Sequence, residues 1–301
     1  MRFSYYPGCS MAATGRAYGE SMNAIIGRLG IDLKELDDWN CCGATSYMSV
    51  RELLSYAISA RNLCIAAKQG MDLVAPCSAC FTILRKTDHY LHDNADLRRK
   101  VNEALGAAGL SYEPGSVKVR HLLEVAVMGD NLERLRAEVK SPLTGLRVAP
   151  YYGCQTLRPR VDFDDPEDPH TLDDVIKALG ADVVNYPTKS KCCGGSLMAT
   201  NEKAALRLCR DILLAAHHTG AHCIATVCPL CQMNLDGFQG KVNAAYGTDF
   251  HFPILYFTQL MGLAMGVEGT SLGLGREIVA AAPVIARHGT GPKAPFAGKE
   301  V

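Results

Sequence analysis

The sequence predicts an α/β protein of two similar, pseudo-symmetric domains, each a small parallel sheet with crossover helices, joined by a helical connector. Two observations carry this. First, a set of five cysteines occurs twice: Cys9, Cys41, Cys42, Cys77 and Cys80, then Cys154, Cys192, Cys193, Cys228 and Cys231. Equivalent members lie 145 (9 to 154), 151 (41 to 192) and 151 (77 to 228) residues apart, and 34 residues separate each Cys-Cys pair from its Cys-x-x-Cys in both sets. Ten of the 13 cysteines thus obey one repeated rule, which chance does not produce. Second, strand-like and helix-periodic segments alternate in the same order around both sets, the pattern of parallel strands with crossover helices.

In chain order, Phe3 to Cys9 reads as a short strand ending in a turn, with Pro7 and Gly8 placing Cys9 on a loop. Tyr18, Met22, Ile25, Ile26 and Leu29 mark one face of a helix that Gly30 caps. Ile31 to Leu36 is strand-like and leads to the Cys41-Cys42 loop. Leu53, Tyr56, Ala60, Cys64 and Ala67 line the next helix, ended by Gly70. Asp72 to Ala75 is a strand, and Pro76 delivers Cys77 and Cys80 at the start of another helix. The second copy repeats the layout: a strand at Arg147, a helix around Leu172 to Leu179, a strand at Asp182, the Cys192-Cys193 loop, a helix from Ala205 to Ala216, and a strand from His222 running into Cys228-Pro229-Leu230-Cys231. The connector, about Asp88 to Ser141, reads as helical and exposed. Phe252 to Met265 reads as core. The resulting division is a first domain with its connector over 1–140, a second domain over 141–267, and a partly disordered tail over 268–301, unstructured from His288. All ten repeated cysteines fall where a strand ends or a helix begins, the edge where sites gather in open α/β sheets.

Composition excludes several classes of function. The 31 basic and 31 acidic residues balance and no basic run stands out, so nucleic acid and anionic membranes find no electrostatic footprint. Residues 1–7 lack a signal-peptide core, and the apolar stretch Ile254 to Val267 is too short and too interrupted to insert in a membrane. A cytoplasmic protein is the expectation, and in a reducing compartment thirteen cysteines point to metal and not to disulfides.

Thiolates select zinc, copper(I) or iron–sulfur clusters. A structural zinc ion takes four ligands, usually in two close pairs, whereas each set offers five with two adjacent in sequence. Neighbouring cysteines close poorly on one small ion but can bind two irons of one cluster. A conventional four-iron cluster takes four cysteines, so five per copy means an unusual cluster or a conventional one with a spare thiol. Cys64 and Cys209 on apolar helix faces, and Cys223 in a strand, read as core. No Gly-rich nucleotide loop is present, since Gly194-Gly195 belong to the cysteine loop. His121, His251, Lys189 and Lys191 could line a cavity, though solvated side chains are the simpler reading; His217, His218 and His222 read as surface or capping histidines.

The two Cys-Cys-Gly sets, with Tyr152-Gly153-Cys154, Leu157-Arg158-Pro159, Phe163-Asp164-Asp165-Pro166-Glu167, Thr226 to Cys231 and Pro253 to Leu260, carry a family likeness. With them the chain resembles the B-type subunit of heterodisulfide reductase, with its two cysteine-rich CCG domains. The resemblance spans about Tyr5 to Gly266. It implies that each five-cysteine set holds a noncubane [4Fe-4S] cluster, two in all, and that a disulfide or thiol substrate binds between them. It makes Cys9, Cys41, Cys154 and Cys192 the catalytic positions, with a thiol-oxidising direction or a passive electron-transfer role as the alternatives. CCG domains also occur in thiol:fumarate reductases and the iron–sulfur subunit of glycolate oxidase, often with ferredoxin-type Cys-x-x-Cys-x-x-Cys segments. None is present here, so the resemblance implies electrons from partners: a small ferredoxin-like iron–sulfur subunit of the C type and a flavin/iron–sulfur subunit of the A type.

Overall fold

A computed structural model describes residues 1–44, 47–158 and 161–288. The first repeat runs β1 (Arg2–Tyr5), α1 (Arg16–Ile25), β2 (Asp32–Glu35), α2 (Tyr47–Val50), α3 (Glu52–Gln69), β3 (Leu73–Ala75), α4 (Ser78–Asp93), α5 (Ala95–Gly106), β4 (Val119–His121), α6 (Leu122–Val127) and α7 (Asn131–Glu138). The second runs β5 (Arg147–Tyr151), α8 (Thr171–Ala178), β6 (Asp182–Val183), α9 (Glu202–His218), β7 (Cys223–Thr226), α10 (Pro229–Gly237), α11 (Gln239–Tyr246), β8 (Ile254–Tyr256) and α12 (Phe257–Ala264), followed by α13 (Ala282–His288). Each repeat builds one four-stranded sheet, with orders β2-β1-β3-β4 and β6-β5-β7-β8 and every pairing parallel. The predicted fold class is the observed one.

The strand order decides where the site lies. From β1 the chain moves to one side to lay down β2, then returns past β1 to lay down β3 and β4. The loops leaving β1 and β3 therefore diverge and open a crevice at the carboxyl ends of adjacent strands. Cys9 follows β1 and Cys77 follows β3, which pair at Ser4↔Leu73 and Tyr5↔Val74. Cys154 follows β5 and Cys228 follows β7, which pair from Val148↔Cys223 to Tyr151↔Thr226. Spacing of 34 residues between the two elements is what a loop, a helix and a returning strand require.

The repeats share a core. The helix after each first strand packs on the helix after the other repeat's fourth strand: α1 on α12, and α8 on α6. Phe3, Tyr18, Leu122, Leu172, Leu255 and Leu260 belong to one apolar cluster that spans both repeats. At its centre the Tyr18 and Tyr256 rings stack, with centroids 4.5 Å apart and planes 8° from parallel. The Ser21 and Thr258 hydroxyls meet at 2.6 Å beside them.

Two readings of the sequence need amendment. The connector is helical in α5, α6 and α7, but α6 is buried and not exposed, and β4 completes the first sheet. Three residues with Arg120 at their centre give too short a pattern to register as a strand. Ile254–Tyr256 was likewise hidden inside a longer apolar run that continues into α12. Residues 269–272 form a 3₁₀ turn ahead of α13. Pro159, and residues 289–301 of the expected tail, lie outside the described residues.

Removing the Tyr18 ring empties the centre of the shared core. Tyr18→Ala should destabilise the protein by ~3 kcal/mol, whereas Val50→Ala at a 77% exposed position should cost under ~0.5 kcal/mol. Urea unfolding should show one transition for both repeats; equal midpoints for the two variants would contradict the packing described.

Candidate functional site

Each cysteine of a set is placed by a separate local device. The Pro7-Gly8 and Tyr152-Gly153 turns carry Cys9 and Cys154 out of their strands, and Cys9 is exposed while Cys154 is half-buried. These glycines are packed against sulfur. A Cβ at Gly8 would lie 3.1 Å from Cys80 Sγ, and one at Gly153 would lie 3.1 Å from Cys231 Sγ. Cys41 and Cys192 are exposed, while Cys42 and Cys193, one residue on, are buried. Cys77 and Cys228 are the N-cap residues of α4 and α10, and they and the first-turn Cys80 and Cys231 are buried.

The Cys-Cys loops are held from behind. In both repeats a tyrosine three residues before the first cysteine donates to the carbonyl immediately ahead of the pair: Tyr6 to Asn40 at 2.7 Å and Tyr151 to Lys191 at 2.6 Å. Beyond this the repeats differ. In the first, Asn62 accepts from the Asn40 N–H and donates to its carbonyl, both at 3.0 Å. In the second, Asn234 donates to the Cys193 carbonyl at 2.8 Å and to Cys209 Sγ at 2.9 Å, and the Cys209 thiol donates to the same carbonyl at 3.3 Å. Cys64, Cys209 and Cys223 are all buried, as the sequence led us to expect, and burial pushes their thiols up to about 11, about 12 and about 12.

The structure brings each set together and then joins the sets. Cys42 and Cys80 sulfurs lie 3.2 Å apart, Cys193 and Cys231 3.5 Å apart. Cys154 bonds to Cys192, Cys41 to Cys42, and Cys77 of the first repeat to Cys228 of the second. Cys228, accepting from Cys231 and Cys77 and from the N–H groups that open α10, is held well below the ordinary thiol range. Cys192, accepting from Cys154 and then from the Gly194 N–H, is lowered to about 6. Donation to Cys228 and burial raise Cys77, and donation to Cys192 and burial raise Cys154. Cys42 is lowered by the Cys41 and Cys80 thiols and the Ala44 N–H.

The donor set fits an iron–sulfur group. Backbone N–H groups aim at sulfur throughout: Gly194 at Cys192 (3.3 Å), Gly195 at Cys193 (3.4 Å), Gly43 at Cys41 and Cys80 at Cys77. Such donors and helix N-termini stabilise thiolate and sulfide charge. The buried hydroxyl of Tyr18, near Cys77 and Cys228, finds no hydrogen-bond partner among the described residues. Among those residues no three His, Cys, Asp or Glu side chains converge as ligands of a single metal ion.

The other residues singled out in the sequence are spent structurally or exposed. Lys189 is buried, not solvated; it meets Asp168 at 2.9 Å and Asp173 at 3.8 Å and donates to the Pro169 carbonyl at 2.8 Å. His251 is exposed against Asp249 at 2.9 Å, and Lys191 is exposed. His222 accepts from the Arg147 N–H at 3.1 Å. His121, for which a solvated side chain was the simpler reading, is fully buried. Its Nδ1 accepts from the Leu123 N–H at 3.1 Å and its Nε2 lies 3.3 Å from the Ser78 hydroxyl. The tyrosine anchors and Asn62 escaped the sequence reading. Tyr6 and Tyr151 were legible as equal offsets from Cys9 and Cys154, whereas Asn62 and Asn234 occupy unrelated positions.

Three cysteine variants separate ligand from core. Cys42→Ser and Cys193→Ser should each lose about half of the iron bound by the purified protein, whereas Cys64→Ser should retain all of it; equal loss in the three would contradict the assignment. Acid should expose His121. Burial lowers it from 6.5 to about 4, so the unfolded chain takes up the proton first and stability falls as pH drops from about 6.5 toward about 4. Between pH 7 and 4.5 the wild type should lose ~2.5 kcal/mol more than His121→Gln in urea titrations; parallel losses would mean that His121 is already charged in the fold.

Residues 3–85 and 148–236 each match the cysteine-rich CCG domain family. The chain is 34% identical, over 92% of its length and 96% of the relative's, to the 8-methylmenaquinol:fumarate reductase membrane anchor subunit of Wolinella succinogenes. It is 30% identical, over 89% of its length and 92% of the relative's, to a protein of Archaeoglobus profundus described as like the B-type subunit of heterodisulfide reductase. The B-type subunit of a ferredoxin/F(420)H(2)-dependent CoB-CoM heterodisulfide reductase of Methanosarcina acetivorans is 28% identical over 91% of this chain and 92% of that one. Among solved structures, a hypothetical protein from Helicobacter pylori superposes with a TM-score of 0.72 at 17% identity, over 93% of this chain and 52% of that one, a likeness of fold alone. No helix among the described residues is long and apolar enough to cross a membrane. With the CCG motif complete in both halves and the likeness running nearly end to end, the chain belongs to the double-CCG cysteine-rich family that includes the B-type subunits of heterodisulfide reductase.

Proposed function

We propose that the chain is the catalytic subunit of a heterodisulfide reductase-like complex, reducing or reversibly forming a disulfide between two iron–sulfur clusters. The observation that carries this is the contact of Cys77 with Cys228, which makes the two thiol sets neighbours and not separate centres. Cys9, Cys41, Cys42, Cys77 and Cys80 would hold one [4Fe-4S] cluster, and Cys154, Cys192, Cys193, Cys228 and Cys231 the other, both noncubane. When bound, the clusters supply the one-electron carriers that a two-electron disulfide reduction needs in pairs.

The chain's own residues decide the side of approach. Cys42, Cys77, Cys80, Cys193, Cys228 and Cys231 are buried, while Cys9, Cys41 and Cys192 are exposed and Cys154 is half-buried. Substrate can reach only the latter four, which is the basis for giving them the catalytic role. The former six are packed in a second apolar cluster, which also draws on both repeats. Electrons enter from partner subunits, a small ferredoxin-like C type and a flavin-bearing A type, in a cytoplasmic assembly.

A second reading rests on the 34% identity to the fumarate reductase anchor subunit, which exceeds that to the heterodisulfide reductase subunits. In it the chain passes electrons within a quinol-linked reductase and handles no disulfide. Turnover of the anaerobically purified protein separates the two. With an artificial low-potential donor it should reduce a disulfide, and Cys41→Ser and Cys192→Ser should abolish this equally even when one cluster remains reducible. Near-normal rates in a variant lacking one cluster would sink the paired-site reading; quinol oxidation with no disulfide turnover in the wild type would favour the second.

A further inference from the structure

The two repeats contain the same niche and treat it differently. In each, a cavity lies between the helix that begins at the Cys-x-x-Cys, the fourth strand of that sheet, and the loop following the first cysteine of the other repeat. On the second repeat it measures about 280 Å³ and is lined by Gln232 of α10, Ile254 of β8 and Ala13. On the first it measures about 390 Å³ and is lined by Phe81 of α4, Val119 of β4 and Arg158. These positions correspond. Phe81 and Gln232 each follow the last cysteine of their set, Val119 and Ile254 share a register in their sheets, and Ala13 and Arg158 each stand four residues past Cys9 and Cys154.

The second niche is walled by the chain's own C-terminal segment. Arg276 grips the Glu20 carboxylate of α1 with two N–H groups, at 2.8 and 2.9 Å. The Ile278 and Val279 backbone N–H groups then donate to the Asp236 carboxylate of α10, at 2.8 and 3.0 Å. Beyond them Ala281 is fully buried.

The first niche has the opposite chemistry. The counterpart of Asp236, five residues past the last cysteine, is Arg85. Lys86, Lys118 and Arg158 join it in the wall. Asp88, the one carboxylate in that wall among the described residues, is turned to its own loop, accepting from the Tyr112 hydroxyl at 2.6 Å and the Gly115 N–H at 2.7 Å. The acids that pair with this wall, Asp162 with Arg85 at 2.7 Å and with Lys118 at 3.7 Å, and Glu167 with Arg158, stand outside the cavity. Such half-exposed pairs exchange readily for an incoming carboxylate. Lys118 and Arg158 are exposed, so the cavity opens to solvent.

We propose that the first niche receives an extended acidic segment of a partner polypeptide, seated where residues 275–281 lie in the other repeat. The pseudo-symmetry argues for polypeptide, because the equivalent space is walled by backbone bonded to the equivalent helix position. The change from Asp236 to Arg85 exchanges an acceptor for a donor. The occupant therefore presents carbonyl and carboxylate oxygens where the chain's own segment presents N–H groups. Such docking is independent of what the cysteines bind.

The test uses the full chain as purified and a fluorescent hexaglutamate peptide, followed by anisotropy. Binding should saturate, and the K86E/K118E double variant should weaken it by at least about tenfold with an unchanged thermal midpoint. The K34E/K140E variant, with the same charge change on other faces, should bind as the wild type does. Unlabelled glutarate at equal carboxylate concentration should not compete. Equal affinity in all three proteins, or no saturable binding, would overturn the proposal. So would full competition by glutarate, which would make the niche a small-anion site.

Discussion

The constraint on which the structure depends is the cost of holding ten thiols in one neighbourhood, six of them buried. Sulfurs this close cannot all ionise, because each anion raises the next; the Cys77–Cys228 and Cys154–Cys192 pairs therefore share protons across hydrogen bonds. Backbone N–H groups and the starts of α4 and α10 offset part of that charge. What remains calls for a cationic group, and soft donors select iron or another thiophilic metal. Much of the local architecture follows from this requirement. Gly8 and Gly153 pass where a Cβ would lie only 3.1 Å from sulfur, and a tyrosine anchors each Cys-Cys loop.

Duplication supplies the rest. One doubly wound sheet gives one crevice, with its five thiols at a single edge. Two sheets facing each other through α1, α6, α8 and α12 bring two such edges together and bury the seam between them. Pseudo-symmetry holds where sulfur is involved and lapses away from it. Asn62 supports one loop and the Cys209–Asn234 pair the other. The C-terminal segment closes one flank and leaves the other open. Symmetry is thus kept at the thiols and relaxed in the scaffold around them.

Much of this was legible from residue order. The double cysteine rule predicted two α/β units and placed the ten repeated thiols where a strand ends or a helix begins, because spacing in a parallel sheet is set by the crossover that must return the chain. Strand β4 was not legible, since Val119–His121 is too short to display a period, and neither was the end of β8 within an apolar run. Cross-repeat contacts were beyond reach for a physical reason. Nothing in local pattern tells that Tyr18 stacks on Tyr256, or that Cys77 meets Cys228, because both depend on how two finished sheets dock. Lys189 misled in the same way, its burial depending on Asp168 and Asp173 arriving from another segment.

Metal analysis tests most directly whether each five-thiol set holds an iron–sulfur cluster. Protein purified without oxygen should contain about eight irons and about eight acid-labile sulfides per chain, two four-iron clusters. Stoichiometric zinc with negligible sulfide would contradict it.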